Sequence, residues 1–441
     1  MNMAGIRRML FWAADIMAGG RLWTAYKDVR RMNTHAGRAA QARPRMLEDI
    51  MEFAKASTGF YSSVAGTELK DFSVVNKAVI RADYDAFQVT ADKIPGRRGD
   101  SIVTHYTSGS TGIPFHVFQD KPCHIRSIAT LKYYNDLIGY HTCEPMMKIS
   151  MLEIPGQHGC STVHNRRDNI WFVNVVTLDK ATLQSLVDKI NDEGIRFIRA
   201  YMTIIDDLTA YVVSSGQKLK SSPTFISIGE LLTEPLRLRV VETMGLHIVS
   251  QYANEENGVL GQAELDAPGD LVKVNRASHV IEILKLDSDE PAAPGEAGRV
   301  VITDLCNRAM PLIRYDIGDV AAAVETAADG SPLTLRLMAC RTCDILYRTD
   351  GSTGSLAIPA DLWAVRGVRQ LQFEQTGLKD YVLHVNTSCP GAFGIRETDL
   401  LRDHFGADAR IGIDYMDGPP EVNARKRKLM VQSCKEYKKT L

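Results

Sequence analysis

The sequence has no excess of either charge: 52 Lys and Arg stand against 53 Asp and Glu, a formal net charge of −1 over 441 residues. Such a chain has no surplus positive charge to condense on a phosphate backbone or an anionic bilayer, which excludes nucleic acid as a general partner. Long apolar runs are also missing. Met9 to Ala18 follows Arg7 and Arg8, is interrupted by Asp15 and is too short to span a bilayer, so an amphipathic helix lying on the domain is expected. The protein is therefore expected to be soluble, with no integral membrane association. Cysteine is sparse: 8 residues are scattered over the chain, unlike the dense framework of a small secreted scaffold, and reduced thiols in a cytoplasm are expected. The C-x-x-C of Cys340 and Cys343 has no second pair and no paired histidines at finger spacing. Two semi-buried thiols are the plainer expectation than a four-ligand zinc site.

What is present is an ordinary globular composition, 45% hydrophobic and 24% charged, long enough for two or three domains at about 150 residues each. Leu47, Ile50, Met51, Phe53 and Ala54 recur at helical spacing and predict a packed helix over 47–60. After Gly109, β-branched stretches (147–152, 170–176, 197–200 and 224–228) alternate with helix-length segments such as 180–193. That alternation predicts an α/β fold with a largely parallel sheet. From about Lys273 the stretches shorten (279–286, 299–305, 320–324 and 333–338), with Pro291, Pro294, Gly295 and Gly298 marking turns, which predicts an antiparallel β-subdomain. Strands over 368–374 and 381–386, a helix near 397–405 and the basic stretch Arg425 to Lys428 predict a small α+β module at the end.

The strongest local signal is Tyr106-Thr107-Ser108-Gly109-Ser110-Thr111-Gly112-Ile113-Pro114, an unbroken run of Ser, Thr and Gly framed by an aromatic and a proline. Such a loop presents backbone N–H groups and hydroxyls together, as a polyphosphate requires. It lacks the lysine of a Walker A loop. By itself a Ser/Gly-rich stretch also suits a surface linker. Further along stand Ile226-Ser227-Ile228-Gly229-Glu230, Tyr252-Ala253-Asn254-Glu255-Glu256-Asn257-Gly258 and Arg314-Tyr315-Asp316-Ile317-Gly318-Asp319. Taken singly, adjacent carboxylates are usually solvated, and a Gly flanked by Asp residues suits a turn.

In this order the motifs resemble those of the adenylate-forming enzymes, in particular the compact phenylacetate–CoA ligase and CapK-like branch, over nearly the whole chain. The resemblance implies a large N-terminal ATP- and acid-binding domain, residues 1–341, and a small mobile α+β C-terminal lid domain, residues 342–441. It implies phosphate contacts from Ser108, Gly109, Ser110, Thr111 and Gly112, adenine contacts from Gly229, Glu230 and Tyr252, and ribose binding by Asp319. Glu256 would be the catalytic carboxylate that associates with Mg²⁺. Cys340-Arg341-Thr342-Cys343-Asp344 resembles the family's hinge, with Arg341 on ribose or phosphate and the pivot at position 343 or 344. Asn423-Ala424-Arg425-Lys426-Arg427-Lys428 resembles the segment bearing the catalytic lysine; Lys426 aligns best and Lys428 second. A lysine suits that task because a carboxylate attacks phosphorus between two anions.

The implied reaction uses ATP to activate a small carboxylic acid as an acyl-adenylate, with transfer to CoA and release of an acyl-CoA. Transfer to an amine, giving an amide, is the alternative, as is a nucleotide-binding homologue without turnover. A zinc-assisted hydrolase using Cys340, Cys343 and His158 or His164 is a third reading with little behind it. Departures from the family pattern are Ile113 for a lysine, Ala253 for a glycine, Glu255 for a Ser/Thr, Cys343 for the hinge carboxylate and Arg425 for a glycine. Glu255 matters most, since a negative charge beside polyphosphate is repulsive unless a cation offsets it. An acid pocket from Tyr133, Tyr134, Met151, Ile228 and the neighbourhood of Gly258 is expected, although these residues equally suit plain core. A homodimer is compatible with all of this.

Overall fold

The computed structural model describes residues 3–96, 100–107, 115–151, 160–416 and 427–438. The chain begins with three helices, α1 (Met3–Met17), α2 (Arg21–Thr34) and α3 (Ala36–Ser57), followed by the short α4 (Lys77–Ala82) and the antiparallel pair β1 (Val103–Thr107) and β2 (Phe115–Gln119). Next come α5 (Lys121–Leu137), β3 (Met146–Met151), β4 (Cys160–Asn165), β5 (Ile170–Val175), α6 (Lys180–Asp192), β6 (Phe197–Tyr201), α7 (Met202–Ser215) and β7 (Thr224–Ile228). After α8 (Glu234–Leu238) the strands β8 (His247–Asn254), β9 (Gly258–Gln262), β10 (Leu271–Val274), β11 (His279–Leu284), β12 (Ala297–Asp304), β13 (Tyr315–Thr326) and β14 (Pro332–Arg341) follow in succession. The last part holds α9 (Ala360–Trp363), β15 (Val368–Gln375), β16 (Asp380–Thr387), α10 (Ile395–Phe405), β17 (Arg410–Tyr415), β18 (Met430–Gln432) and α11 (Lys435–Lys438).

One 12-stranded sheet in the order β11-β12-β13-β14-β10-β9-β8-β7-β6-β3-β5-β4 carries most of this. Strands β5, β3, β6, β7 and β8 run parallel, as the alternating apolar and helical stretches imply. The antiparallel strands expected as a subdomain extend the same sheet: β9 turns back on β8, and β10 joins it through Lys273–Gln262 and Val274–Gly261. A separate four-stranded sheet, β17-β16-β15-β18, forms the last module with α10.

The core is divided accordingly. Leu186, Ile190, Ile205 and Leu208 of α6 and α7 pack on Ile198 and Ile248 of the parallel strands. Phe72, Ile80 and Phe87 from the N-terminal third pack on Ile281, Ile302 and Tyr315 of the antiparallel strands. Phe373, Tyr381 and Phe405 pack together in the last module. Local chemistry sets the helix ends. The Asp120 and Asp179 carboxylates accept from Cys123 N (2.9 Å) and Thr182 N (2.8 Å) to cap α5 and α6, and Gly216 closes α7 at φ 67°. In such a sheet the C-terminal ends of the parallel strands are where loops converge on ligands.

Candidate functional site

β8 ends at that edge, and its Tyr252 reaches across to β13. The Tyr252 hydroxyl donates to Asp319 Oδ2 at 3.0 Å. β13 and β14 pair with Asp319 opposite Arg341, and Arg341 Nε donates to Asp319 Oδ1 at 2.8 Å. Within β13, Gly318 takes φ 80° just before this position and donates its N–H to Asp316 Oδ1 at 2.8 Å. Burial, with the Asp319 carboxylate beside it, holds the Tyr252 phenol well above its usual range. The charge of Asp319 raises the pKa of the Arg341 guanidinium. Three residues expected to touch adenine, ribose or phosphate are thus joined in one hydrogen-bonded unit.

Glu256 follows at the β8–β9 turn, which Gly258 makes at φ 72°. Its side chain is 5% exposed; Oε1 pairs with Lys77 Nζ of α4 at 2.8 Å and accepts from the Tyr315 hydroxyl at 3.1 Å. No described residue hydrogen-bonds the other oxygen. Glu255 beside it is 66% exposed and stands 4.0 Å from His105 Nδ1 of β1. The charge of Glu255 also acts on the Arg199 guanidinium of β6. The Arg199 cation therefore acts on the departure that looked most repulsive in the sequence.

At the end of β7, Gly229 turns at φ 74° and presents Glu230. Glu230 caps α7 from a distance: Oε2 accepts from Thr203 N at 3.0 Å and Oε1 from the Thr203 hydroxyl at 2.7 Å. The same Oε1 accepts from Arg427 N at 2.6 Å. Arg427 then donates to Asp206 Oδ2 and to both oxygens of Asp207, each at 2.9 Å, so α7 holds the C-terminal segment. Burial raises the Asp207 carboxyl above its ordinary pKa, although Arg427 pulls the other way. One residue on, Lys428 Nζ donates to both oxygens of Asp344 at 2.9 and 2.8 Å; the Asp344 side chain is 7% exposed. At the hinge the buried carboxylate is Asp344, while Cys343 is exposed.

Ser108 to Gly112, Ile113, Arg425 and Lys426 lie outside the described residues. Tyr133 and Tyr134 are core: both are buried on α5 and pack with Tyr26 and Val29 of α2. Met151 and Ile228 do end β3 and β7 at the expected edge. His164 stacks on Trp171 at 3.9 Å between ring centres. Among the described residues no three His, Cys, Asp or Glu gather as a metal site. Sequence reading missed Lys77, Arg199, Asp206 and Asp207, whose partners lie far away in the chain and which carry no local motif.

No family model matches the chain. In sequence it is similar to Protein CapK from Staphylococcus aureus, 21% identical over 308 residues, or 67% of this chain and 65% of CapK. It is also similar to Phenylacetate-coenzyme A ligase from Thermus thermophilus, 30% identical over 145 residues, or 29% of this chain and 31% of the ligase. The matches thus span less than two thirds of either relative's length. In structure it resembles 2-Hydroxyisobutyryl-CoA Ligase, solved in the postadenylation state in complex with R3-HIB-AMP, with a TM-score of 0.66, 14% identity and 93% of each chain covered. The chain has the adenylate-forming fold.

Proposed function

We propose that this chain is a member of the adenylate-forming enzyme superfamily and an AMP-forming acid–thiol ligase, which activates a carboxylic acid with ATP and passes the acyl group to CoA. The observation that carries the reading is the Tyr252–Asp319–Arg341 unit at the C-terminal edge of the sheet. Asp319 presents a carboxylate already oriented by two donors, as a pair of ribose hydroxyls needs, and Tyr252 offers a ring against the adenine. Gly229 and Glu230 line the other side of the base. The run from Ser108 to Gly112 supplies phosphate contacts.

Glu256 fits a magnesium role. Mg²⁺ keeps most of its waters and takes its remaining ligands from one or two carboxylates and phosphate, and the second Glu256 oxygen stays outside the Lys77 and Tyr315 contacts. When bound, the ion supplies neutralisation of phosphate charge. The protein's own part is positioning and electrostatic stabilisation, with no covalent step by a side chain. Lys426 is the adenylation lysine; the alternative, Lys428, is held by the buried Asp344. The small domain, residues 342–441, turns about Arg341 to Asp344 between half-reactions, and the Arg427 contacts with Asp206 and Asp207 mark the position held here. A cytoplasmic setting is consistent with the sparse cysteines.

Acid-dependent exchange of labelled pyrophosphate into ATP tests the reading. Exchange with an acid of the panel, followed by CoA-dependent product, is the expected result. Product formed with an amine and without CoA would replace the thioester by an amide. ATP binding without exchange for any acid would overturn the ligase reading.

A further inference from the structure

One group of charges has no task in the reaction above. Lys148 of β3 and Arg199 of β6 are register partners on adjacent parallel strands, and they share a sheet face with Met146 and Phe197 by strand alternation. Like charges placed opposite one another repel. Lys148 stands 5.6 Å over the Phe172 ring and has no ion pair among the described residues. Arg199 Nη1 is buried without a hydrogen-bond partner. A third cation, Lys132 of α5, donates to the Thr142 hydroxyl at 3.0 Å. The carboxylates that act on the group do so through space: Glu255 on Arg199, Asp168 on Lys148, and Asp168 and Asp136 on Lys132. Burial lowers the Lys148 ammonium to about 8, with Arg199 and Lys132 pushing the same way, and lowers Arg199 to about 10.

A half-buried pair of cations with no ion pair among the described residues destabilises a fold, and such a cost is commonly retained where a ligand offsets it. Arg199 lies two residues before Tyr201, the end of β6, a distance of about 7 Å along the strand. Tyr201 pairs with Ile228, next to Gly229 and Glu230 of the nucleotide edge. We propose that Lys148 and Arg199 form a subsite for a second anionic group on the acid substrate, so that the acid activated here is a dianion, in the simplest case a dicarboxylic acid. One carboxylate reacts at the strand ends while the other pairs with the two cations, which make no ion pair among the described residues. Arg–carboxylate hydrogen bonding in a desolvated site gives such recognition its strength. The inference rests on the acid-activating reading and narrows it.

The test compares pyrophosphate exchange by the full chain for two matched pairs, adipate against hexanoate and 4-carboxyphenylacetate against phenylacetate. The wild type is expected to favour the dianionic member by at least a hundredfold in kcat/KM. Arg199→Met and Lys148→Met are each expected to reduce that ratio by at least thirtyfold, with a thermal midpoint equal to or above that of the wild type; Arg199→Lys recovers part of the ratio. A wild type that prefers the mono-anionic acids, or an Arg199→Met variant that scales both members of a pair equally, overturns the inference. A lowered midpoint with no change in the ratio makes the pair structural and also overturns it. Should no acid support exchange, the ligase reading fails separately, and calorimetric titration of adipate into the protein with a non-hydrolysable ATP analogue decides this point. Binding lost in Arg199→Met supports the subsite, and no binding of either dianion to the wild type overturns it.

Discussion

Replacing Asp319 by asparagine keeps the shape of the side chain and removes its charge. In the wild type the carboxylate accepts from the Tyr252 hydroxyl at 3.0 Å and from Arg341 Nε at 2.8 Å. Hydrogen bonds to charged groups contribute about 1.5–3 kcal/mol each, and one made to a partly exposed arginine contributes closer to 1 kcal/mol; the Arg341 side chain is 40% exposed. Folding stability is therefore expected to fall by only about 1–2 kcal/mol, read as a drop of a few degrees in thermal midpoint. Nucleotide affinity is more sensitive. If the two ribose hydroxyls donate to a charged acceptor, losing that charge costs about 3 kcal/mol, or roughly 150-fold in Kd. Calorimetric titration with ATP on folded Asp319→Asn measures this directly. Tyr252→Phe is the control, since it removes one donor and leaves the charge; a loss of about 13-fold is expected from a hydrogen bond to a carboxylate of about 1.5 kcal/mol. An Asp319→Asn protein that binds ATP within threefold of the wild type would refute the ribose assignment.

The two lysines separate cleanly. Lys426→Ala is expected to slow pyrophosphate exchange by orders of magnitude while ATP still binds. Lys428→Met strands a buried carboxylate at Asp344 and is expected to cost about 1–3 kcal/mol of stability by denaturant titration. Arg427→Ala removes contacts to Asp206 and Asp207 whose arginine side is 11% exposed; about 2–4 kcal/mol of docking is lost, and small-angle scattering is expected to show a more extended molecule. Asp304 provides a pH test. Burial raises its folded pKa to about 6 against an ordinary 3.8, so the folded state holds the proton more tightly. Its contribution is full below about pH 4 and is lost as pH rises through 6, a change of about 3 kcal/mol at 1.36 kcal/mol per unit. Asp304→Asn can still accept from Cys306 N and Asn307 N, and its stability relative to the wild type is expected to improve by about that amount between pH 4 and 7. A constant difference across that range would count against the assignment.

Where a function depends on local backbone, the sequence disclosed it. Gly229, Gly258 and Gly318 sit at positive φ within two residues of Glu230, Glu256 and Asp319, and a backbone that needs glycine leaves a motif. The parallel strands were legible because strands buried on both faces are rich in apolar and β-branched residues without strict alternation, as Thr224 to Ile228 is. Continuity of the single large sheet was not legible, since it rests on the short register match of β9 with β10 and on no turn signal. Nor were the charges that complete the site. Lys77 meets Glu256 from a helix in the N-terminal third, and Arg427 meets Asp206 and Asp207 from the opposite end of the chain. Charge pairing of this kind has no period and no spacing. It also changes how a departure is weighed: Glu255 looked like an uncompensated negative charge beside phosphate only while Arg199 was distant in sequence. With Arg199 placed by β6 where the two charges act on each other, the carboxylate belongs to a local balance of charge, and a substitution there has to be judged together with Arg199.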